Sequence, residues 1–241
     1  MPTPEGAEEM ERVKVRIWVP DRPGVLGAVA TRIGGVLGNV VGLEVLERAG
    51  GVAVDELTVE LTDPGMLDRM CQQIRLVEGA GVEDVRSVGP DEEERYLRVM
   101  AAALAIFETA NSAAALSALM GFAEELFELD WATLSDLPTG TAMHSVGEVP
   151  PAPWLAAFAE GTRIDADGAP GAAGGIPEDP DGRTDGSGVL AEYLESARLT
   201  LFVGRPVPFR RRERLEVQML ARVADSVWSA LQPVPTGRPR W

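Results

Sequence analysis

Asp21-Arg22-Pro23-Gly24-Val25-Leu26 is the stretch on which the fold of this chain turns. Proline fixes φ and has no amide to donate, and glycine accepts backbone angles closed to other residues. Pro23-Gly24 therefore ends one element and opens another. On the N-terminal side, Val13, Val15, Ile17 and Val19 alternate with Lys14, Arg16 and Trp18, the period of a half-buried strand. On the C-terminal side, Leu26, Val29, Ala30 and Ile33 recur at the spacing of one helix face. Asp21 is placed to cap that helix.

Working outward, Gly34, Gly35 and Gly38 break the helix. Residues 39–48 follow as a strand, with Val41, Leu43 and Val45 on one face. Ala49-Gly50-Gly51 is a hairpin turn, and residues 52–61 return with Leu57, Val59 and Leu61 inward and Glu56, Thr58 and Glu60 outward. Thr62-Asp63-Pro64-Gly65 opens a second helix to about Leu76, where Cys71 sits among Met66, Leu67, Met70 and Ile74 as a core residue. Residues 82–88 form a last short strand. The order strand-helix-strand-strand-helix-strand is the split βαββαβ arrangement, a ferredoxin-like α+β fold with both helices on one face of a four-stranded antiparallel sheet.

Gly89-Pro90 and the acidic run Asp91 to Glu94 mark a domain boundary. Beyond it, Leu97, Met100, Ala101, Leu104 and Phe107 are spaced for burial on a helix. A second helix, capped by Asn111 or Ser112, carries Leu116, Leu119, Met120, Ala123 and Phe127. Residues 131–137 read as a strand, 154–159 as a short helix, and 189–203 as two strands. Residues 165–188 are rich in glycine, proline and aspartate and read as a flexible insertion. A long helix covers about 210–231, with an apolar stripe of Leu220, Val223, Ala224, Val227, Trp228 and Leu231. Residues 1–11 and 233–241 read as loose tails.

The formal net charge is −16. Such a surface repels phosphate backbones and anionic lipid, so neither nucleic acid nor a membrane is expected as a partner. The N-terminus lacks the basic and apolar regions of a signal peptide, and no apolar run reaches the length of a transmembrane helix. A cytoplasmic location is therefore expected. One cysteine, Cys71, excludes an intrachain disulfide and any cysteine-cluster zinc site. The single histidine, His144, stands in what reads as a loop, and neighbouring Ser145 is poorly placed as a nucleophile. Asp165-Ala166-Asp167-Gly168 starts like a calcium loop, but Ile176 occupies the place of the bidentate acid. No cofactor, no metal and no enzymatic activity are expected. The run Arg210-Arg211-Arg212-Glu213-Arg214 is the one dense basic patch, read as surface cations paired with acids.

Asp21 to Leu26 between a strand and a helix, with Gly38-Asn39-Val40 leading into the second strand, resembles the signature of ACT domains over residues 12–89. Residues 93–232 more weakly resemble a divergent GAF domain. There two leading helices, a strand and the ending from Ala197, through a Pro-Phe step, to Leu231 carry the likeness. The ACT resemblance implies side-by-side pairing of domains into a continuous sheet. It also implies an amino acid bound where the turn of one domain meets the second strand of its partner. Carried over by position, Asp21, Arg22, Pro23, Gly24, Val25 and Leu26 line the loop side, and Asn39 and Val40 the strand side. Free amides at the helix start suit a carboxylate, and Asn39 offers both a donor and an acceptor.

The expected function is that of a non-enzymatic regulatory protein. It senses an amino acid or related small metabolite at an ACT homodimer interface, and a GAF-like domain responds or receives a protein partner. The alternative is a structural protein whose two domains serve only dimerisation and partner binding. A loop mouth plugged by Trp18 favours the second reading.

Overall fold

A computed structural model describes residues 11–89, 95–167 and 188–232, the side chains of 162–167 excepted. The chain divides into two compact units, the first holding residues 11–89 and the second 95–167 with most of 188–232. The expected tails, the acidic hinge residues 90–94 and residues 168–187 of the insertion lie outside the described residues.

The first unit runs β1 (Glu11–Pro20), α1 (Val25–Gly34), β2 (Gly38–Ala49), β3 (Val52–Leu61), a single 3-10 turn (Pro64–Met66), α2 (Leu67–Arg75) and β4 (Gly81–Val88). Its antiparallel sheet has the order β2-β3-β1-β4, the ferredoxin-like arrangement. Each crossover skips a strand: β1 and β2 are separated by β3, and β3 and β4 by β1. The core is built as the alternation requires. Val13, Val15, Ile17, Val29, Ile33, Leu57, Val59, Met70 and Ile74 are all buried in one cluster, and Cys71 is a buried free thiol. Val85 and Val82 of β4 pack against it.

Two expectations for this unit are corrected. Asp21 does not cap α1: the cap is Gly24, without any side-chain bond, because Pro23 and Gly24 themselves make the turn. The charged side chains at the centre of the face opposite the helices do not stand singly in water but in ion pairs. Lys14, Arg16 and Glu56 are each buried. The charges alternate in sign across the register, Arg16 facing Glu56 and Arg12 facing Glu60. Arg16 Nη2 donates to Glu56 Oε2 at 3.0 Å, Lys14 Nζ lies 3.8 Å from its other oxygen, and Arg86 Nη2 3.9 Å from that same oxygen. Paired charges lose far less on leaving water than lone ones.

The second unit runs α3 (Arg95–Phe107), α4 (Ser112–Phe127), β5 (Trp131–Asp136), β6 (Thr141–Gly147), α5 (Ala152–Asp167), β7 (Val189–Leu194), β8 (Leu199–Gly204) and α6 (Arg211–Leu231). Its antiparallel sheet has the order β6-β5-β8-β7. One face meets α3, α4 and α6 in a core of Leu119, Phe127, Leu134, Leu201, Phe209 and Leu220, among others. The other face meets α5, where Leu155 and Ala159 pack on Phe202. Asn111 caps α4, its Oδ1 accepting from the Ala114 amide at 2.8 Å. His144 belongs to β6, opposite Leu134, and not to a loop. α5 extends to Asp167, so residues 165–167 are helical and not part of an insertion.

A further correction in this unit concerns α3. Its buried side is Arg95, Val99, Ala102 and Ile106, while Leu97, Met100, Leu104 and Phe107 are exposed. Arg95 explains the choice. Its Nε donates to Glu216 Oε2 at 2.7 Å, and its guanidinium lies over the Phe127 ring at 5.1 Å. Among the described residues no helix is long and apolar enough to cross a membrane.

Candidate functional site: the loop after β1 and the edge strand β2

Pro20 ends β1, and the Asp21 amide donates to Gly51 O at 2.8 Å. The loop is thereby tied to the β2–β3 hairpin. Arg22 N turns back to Pro20 O at 2.9 Å. Gly24 then adopts φ +90°, and a Cβ there would have no heavy atom within 4 Å. Backbone conformation, not crowding within the unit, is what demands glycine at this position. α1 starts at Val25, which is buried, with Leu26 half-buried behind it. The Ala28 amide reaches Gly24 O at 2.9 Å. The Leu26 and Gly27 amides, in the first turn, have no protein acceptor among the described residues. Such amides, at the positive end of a helix, suit a carboxylate.

The loop's charged side chains are solvated. Asp21 Oδ1 lies 3.9 Å from Arg48 Nε, and Arg22 Nη2 3.7 Å from Glu78 Oε2. Asp55 is the polar group that the sequence reading passed over. It is 4% exposed and its Oδ1 has no hydrogen-bond partner. Burial raises its pKa, against a lowering by Arg48 and with a further rise from Asp21. The signal was present in β3, where alternation with Leu57 and Val59 puts Asp55 on the inward side.

Asn39 and Val40, the strand side of the expected site, lie at the other end of the sheet from the loop of the same chain. Asn39 faces Glu60, and Glu60 faces Arg12 at the start of β1. The loop follows Pro20, which faces Val52 at the other end of the sheet. At about 3.3 Å per strand residue, the two halves stand about 25 Å apart within one chain. The structure brings Asp21 to Leu26 together and does not bring Asn39 and Val40 to them. Asn39 Nδ2 donates to Glu60 Oε2 at 3.4 Å, on the face away from the helices. Val40 packs against the core on the helix face.

β2 is an edge strand whose register with β3 shifts between Val40 and Gly42 and again between Val45 and Glu47. Val41, Leu43 and Val45 are exposed along it at 46%, 45% and 37%. Trp18 lies over Gly81, where a Cβ would collide with its ring. It belongs to the face of β1 opposite the helices, away from the first turn of α1.

The second unit offers a cleft of about 860 Å³ between α5, the sheet and the end of α6, lined among others by Asp136, Met143, Glu160, Tyr193, Thr200 and Trp228. On the same sheet face, Thr133 Oγ1 lies 2.9 Å from Ser145 Oγ and 3.2 Å from Ser135 Oγ. His144 Nδ1 is buried without a hydrogen-bond partner. Among the described residues no group of three or more His, Cys, Asp or Glu is placed to hold a metal.

No family model matches the chain, and no curated protein matches it. Solved structures do. The ACT domain of the GTP pyrophosphokinase of Chlorobium tepidum is 18% identical, with a TM-score of 0.27, over 33% of this chain and 99% of that one. An uncharacterized protein of Thermotoga maritima is 16% identical, with a TM-score of 0.26, over 33% and 96%. The C-terminal domain of the MgtC protein of Mycobacterium tuberculosis is 15% identical, with a TM-score of 0.28, over 36% and 97%. These are likenesses of fold, each over about a third of this chain and nearly all of the other. The strand order β2-β3-β1-β4 and the placement of α1 and α2 make the first unit ferredoxin-like.

Proposed function

We propose that this chain is a regulatory protein, not an enzyme, and that two copies of its first unit bind an amino acid or a related small carboxylate between them. The observation that supports this reading best is the turn at Gly24. Its positive φ leaves the Leu26 and Gly27 amides without a protein acceptor at the start of α1, where a carboxylate is favoured. The position of Asn39 and Val40 supports the second copy. They lie at the far end of the same sheet, so a site using both halves needs a partner's β2. Pairing of β2 edges about a two-fold axis runs the strands antiparallel, which takes Asn39 of one copy toward the Asp21 loop of the other. The second unit, which we read as a divergent GAF-like domain on the strength of α3, α4 and β5 leading and α6 closing it, would respond or hold a protein partner.

The test is a thermal-shift screen of the full chain against the proteinogenic amino acids and small carboxylates, at several protein concentrations. A ligand at 100 times its Kd adds about 2.7 kcal/mol of stability. The expected result is a shift given by one chemical class and lost in the double variant Gly24→Val, Asn39→Ala. A shift that survives the double variant places the site elsewhere, and no shift with any compound removes the sensing reading.

One observation favours the alternative, a module for pairing only. The Asn39 amide is already engaged by Glu60, so a ligand must compete with a carboxylate for it. Glu60→Gln separates the two readings. It sharpens binding if Asn39 serves a ligand and leaves assembly alone in either case.

A further inference from the structure

α3 is apolar nearly all round. Between Leu97 and Phe107 its one charged residue is Arg98, whose guanidinium lies 3.4 Å from Glu125. Val99, Ala102 and Ile106 fill one side. The other side holds Leu97, Met100, Leu104 and Phe107, exposed at 45%, 57%, 57% and 69%. A helix that is hydrophobic on every side is a buried helix, so this side is built to be covered.

The spacing says by what. Residues 97, 100, 104 and 107 follow the 3-4-3 steps of a heptad seam, the pattern that receives another helix by knobs into holes. α6 continues the surface. Arg95 joins the start of α3 to Glu216, and Phe107 shares a groove of about 730 Å³ with Met219, Val223 and Leu231 of α6. Leu215 and Met219, exposed at 41% and 58%, extend the stripe. Arg222 is the one charged residue among those described in the lining of that groove.

We infer that a second copy of this chain covers the face, α3 and α6 of one protomer meeting α3 and α6 of the other as a four-helix bundle about a two-fold axis. Area and charge choose this occupant. At about 200 Å² for a fully exposed large apolar side chain, the four seam residues with Leu215 and Met219 offer about 650 Å² per copy. A standard stable interface uses about 800 Å² per partner once flanking groups are counted. Each chain carries a net charge of −16, so two copies repel over most of their surfaces. The α3 seam is a place where they can meet without opposing like charges. The inference stands apart from the ligand reading, since it uses no residue of the first unit.

The full chain is compared with Met100→Glu, Leu104→Glu by analytical ultracentrifugation at tens of micromolar, with circular dichroism to check folding. Both substitutions lie on the exposed side of α3. The wild type is expected to sediment at two or more chain masses. The variant is expected to lose this contact, its dissociation constant raised by about two orders of magnitude, as unpaired charges at a desolvated seam do. An unchanged mass in the folded variant overturns the inference. So does a monomeric wild type whose melting temperature falls on substitution, since a segment of the same chain then covers the face. Should the glutamates prevent folding, Leu104→Cys with a short bis-maleimide linker decides the matter. Covalent dimer is expected from Leu104→Cys and not from Ser117→Cys on the exposed side of α4. Equal cross-linking at both positions, or none at either, contradicts the bundle.

Discussion

Arg95 Nε donates to Glu216 Oε2 at 2.7 Å, with both side chains buried. The pair has company. Glu213, 0% exposed, accepts from Arg205 Nη2 at 2.6 Å and lies 3.8 Å from Arg95 Nη2. Arg205 also donates to Phe127 O and lies over the Phe209 ring. The start of α6 is thus bolted to α3, to the end of α4 and to the strand-end turn at Arg205. Removing one member strands its partner in a low dielectric, which costs more than the pair contributes. Arg95→Ala is expected to lower stability by about 3–5 kcal/mol in urea denaturation. The double variant Arg95→Met, Glu216→Leu should recover most of that loss, because the stranded carboxylate is gone with the cation.

Glu192 gives a pH-dependent counterpart. It stands on β7 between Leu190 and Leu194, both packed on the core face. Burial there raises its pKa from 4.5 to about 7. A carboxyl whose folded pKa is raised gives the native state full benefit only below the unfolded value, and loses it as pH climbs through the folded one. Glu192→Gln should therefore be more stable than the wild type at pH 8, by about 1–3 kcal/mol given its partial exposure. The gap should close as pH falls from about 7 and vanish below 4.5. Denaturation curves of both proteins at four pH values check the sign. A gap that widens on acidification would refute the assignment.

What could be read from residues alone divides along physical lines. β1 and β3 were legible because one face of each is all core, so the period of two is sharp. The same parity puts Asp55 inward between Ala53 and Leu57, but an acid followed directly by the outward Glu56 is easily passed over as solvated. α3 was legible as a helix and not as to its face. Leu97, Met100, Leu104 and Phe107 are larger than Val99, Ala102 and Ile106, and size points the wrong way when both sides are apolar. Burial was decided by Arg95, whose partners lie more than a hundred residues away at Glu213 and Glu216. The charged face of β1 was misread for a related reason. Lys14 and Arg16 look solvated until the register sets Arg16 opposite Glu56. Of the candidate site, the loop came from local chemistry, while the distance of Asn39 from it follows only from the strand order.

Two glycines should respond to substitution for opposite reasons. Gly24 has φ +90° and open space where a Cβ would go, so Gly24→Ala carries a conformational cost of about 1–2 kcal/mol and no clash. Gly81 faces Trp18 across the β1–β4 pair, and a Cβ there would meet the indole ring. Gly81→Ala should cost more than Gly24→Ala in wild-type background. Much of its cost should disappear when combined with Trp18→Leu, whereas Gly24→Ala should be indifferent to residue 18. The two double-mutant cycles measure this directly, since only residues in contact couple strongly. The second unit repeats the device with Trp131 over Gly204, so Gly204→Ala is expected to follow Gly81→Ala.

The last expectation concerns the edge of β2. An unpaired edge strand is a template for another strand, and β2, although its register shifts on either side of Leu43, exposes Val41, Leu43 and Val45. Its neighbours Glu44 and Glu47 are half-buried, which leaves the apolar residues foremost. Under the proposed pairing, Leu43 lies near the middle of the strand and so near the two-fold axis, where one substitution acts twice. Leu43→Lys then sets two lysines against each other at a desolvated centre. It should weaken β2 pairing strongly while leaving the fold intact, since the residue is exposed in the isolated chain. Loss of ligand response should accompany the loss of pairing, because the site takes one half from each copy. Met100→Glu with Leu104→Glu should leave the ligand response in place. Combining all three substitutions should give a monomer of 25.7 kDa in sedimentation. A Leu43→Lys protein that keeps both its assembly mass and its ligand response would show that the edge of β2 is not where copies meet.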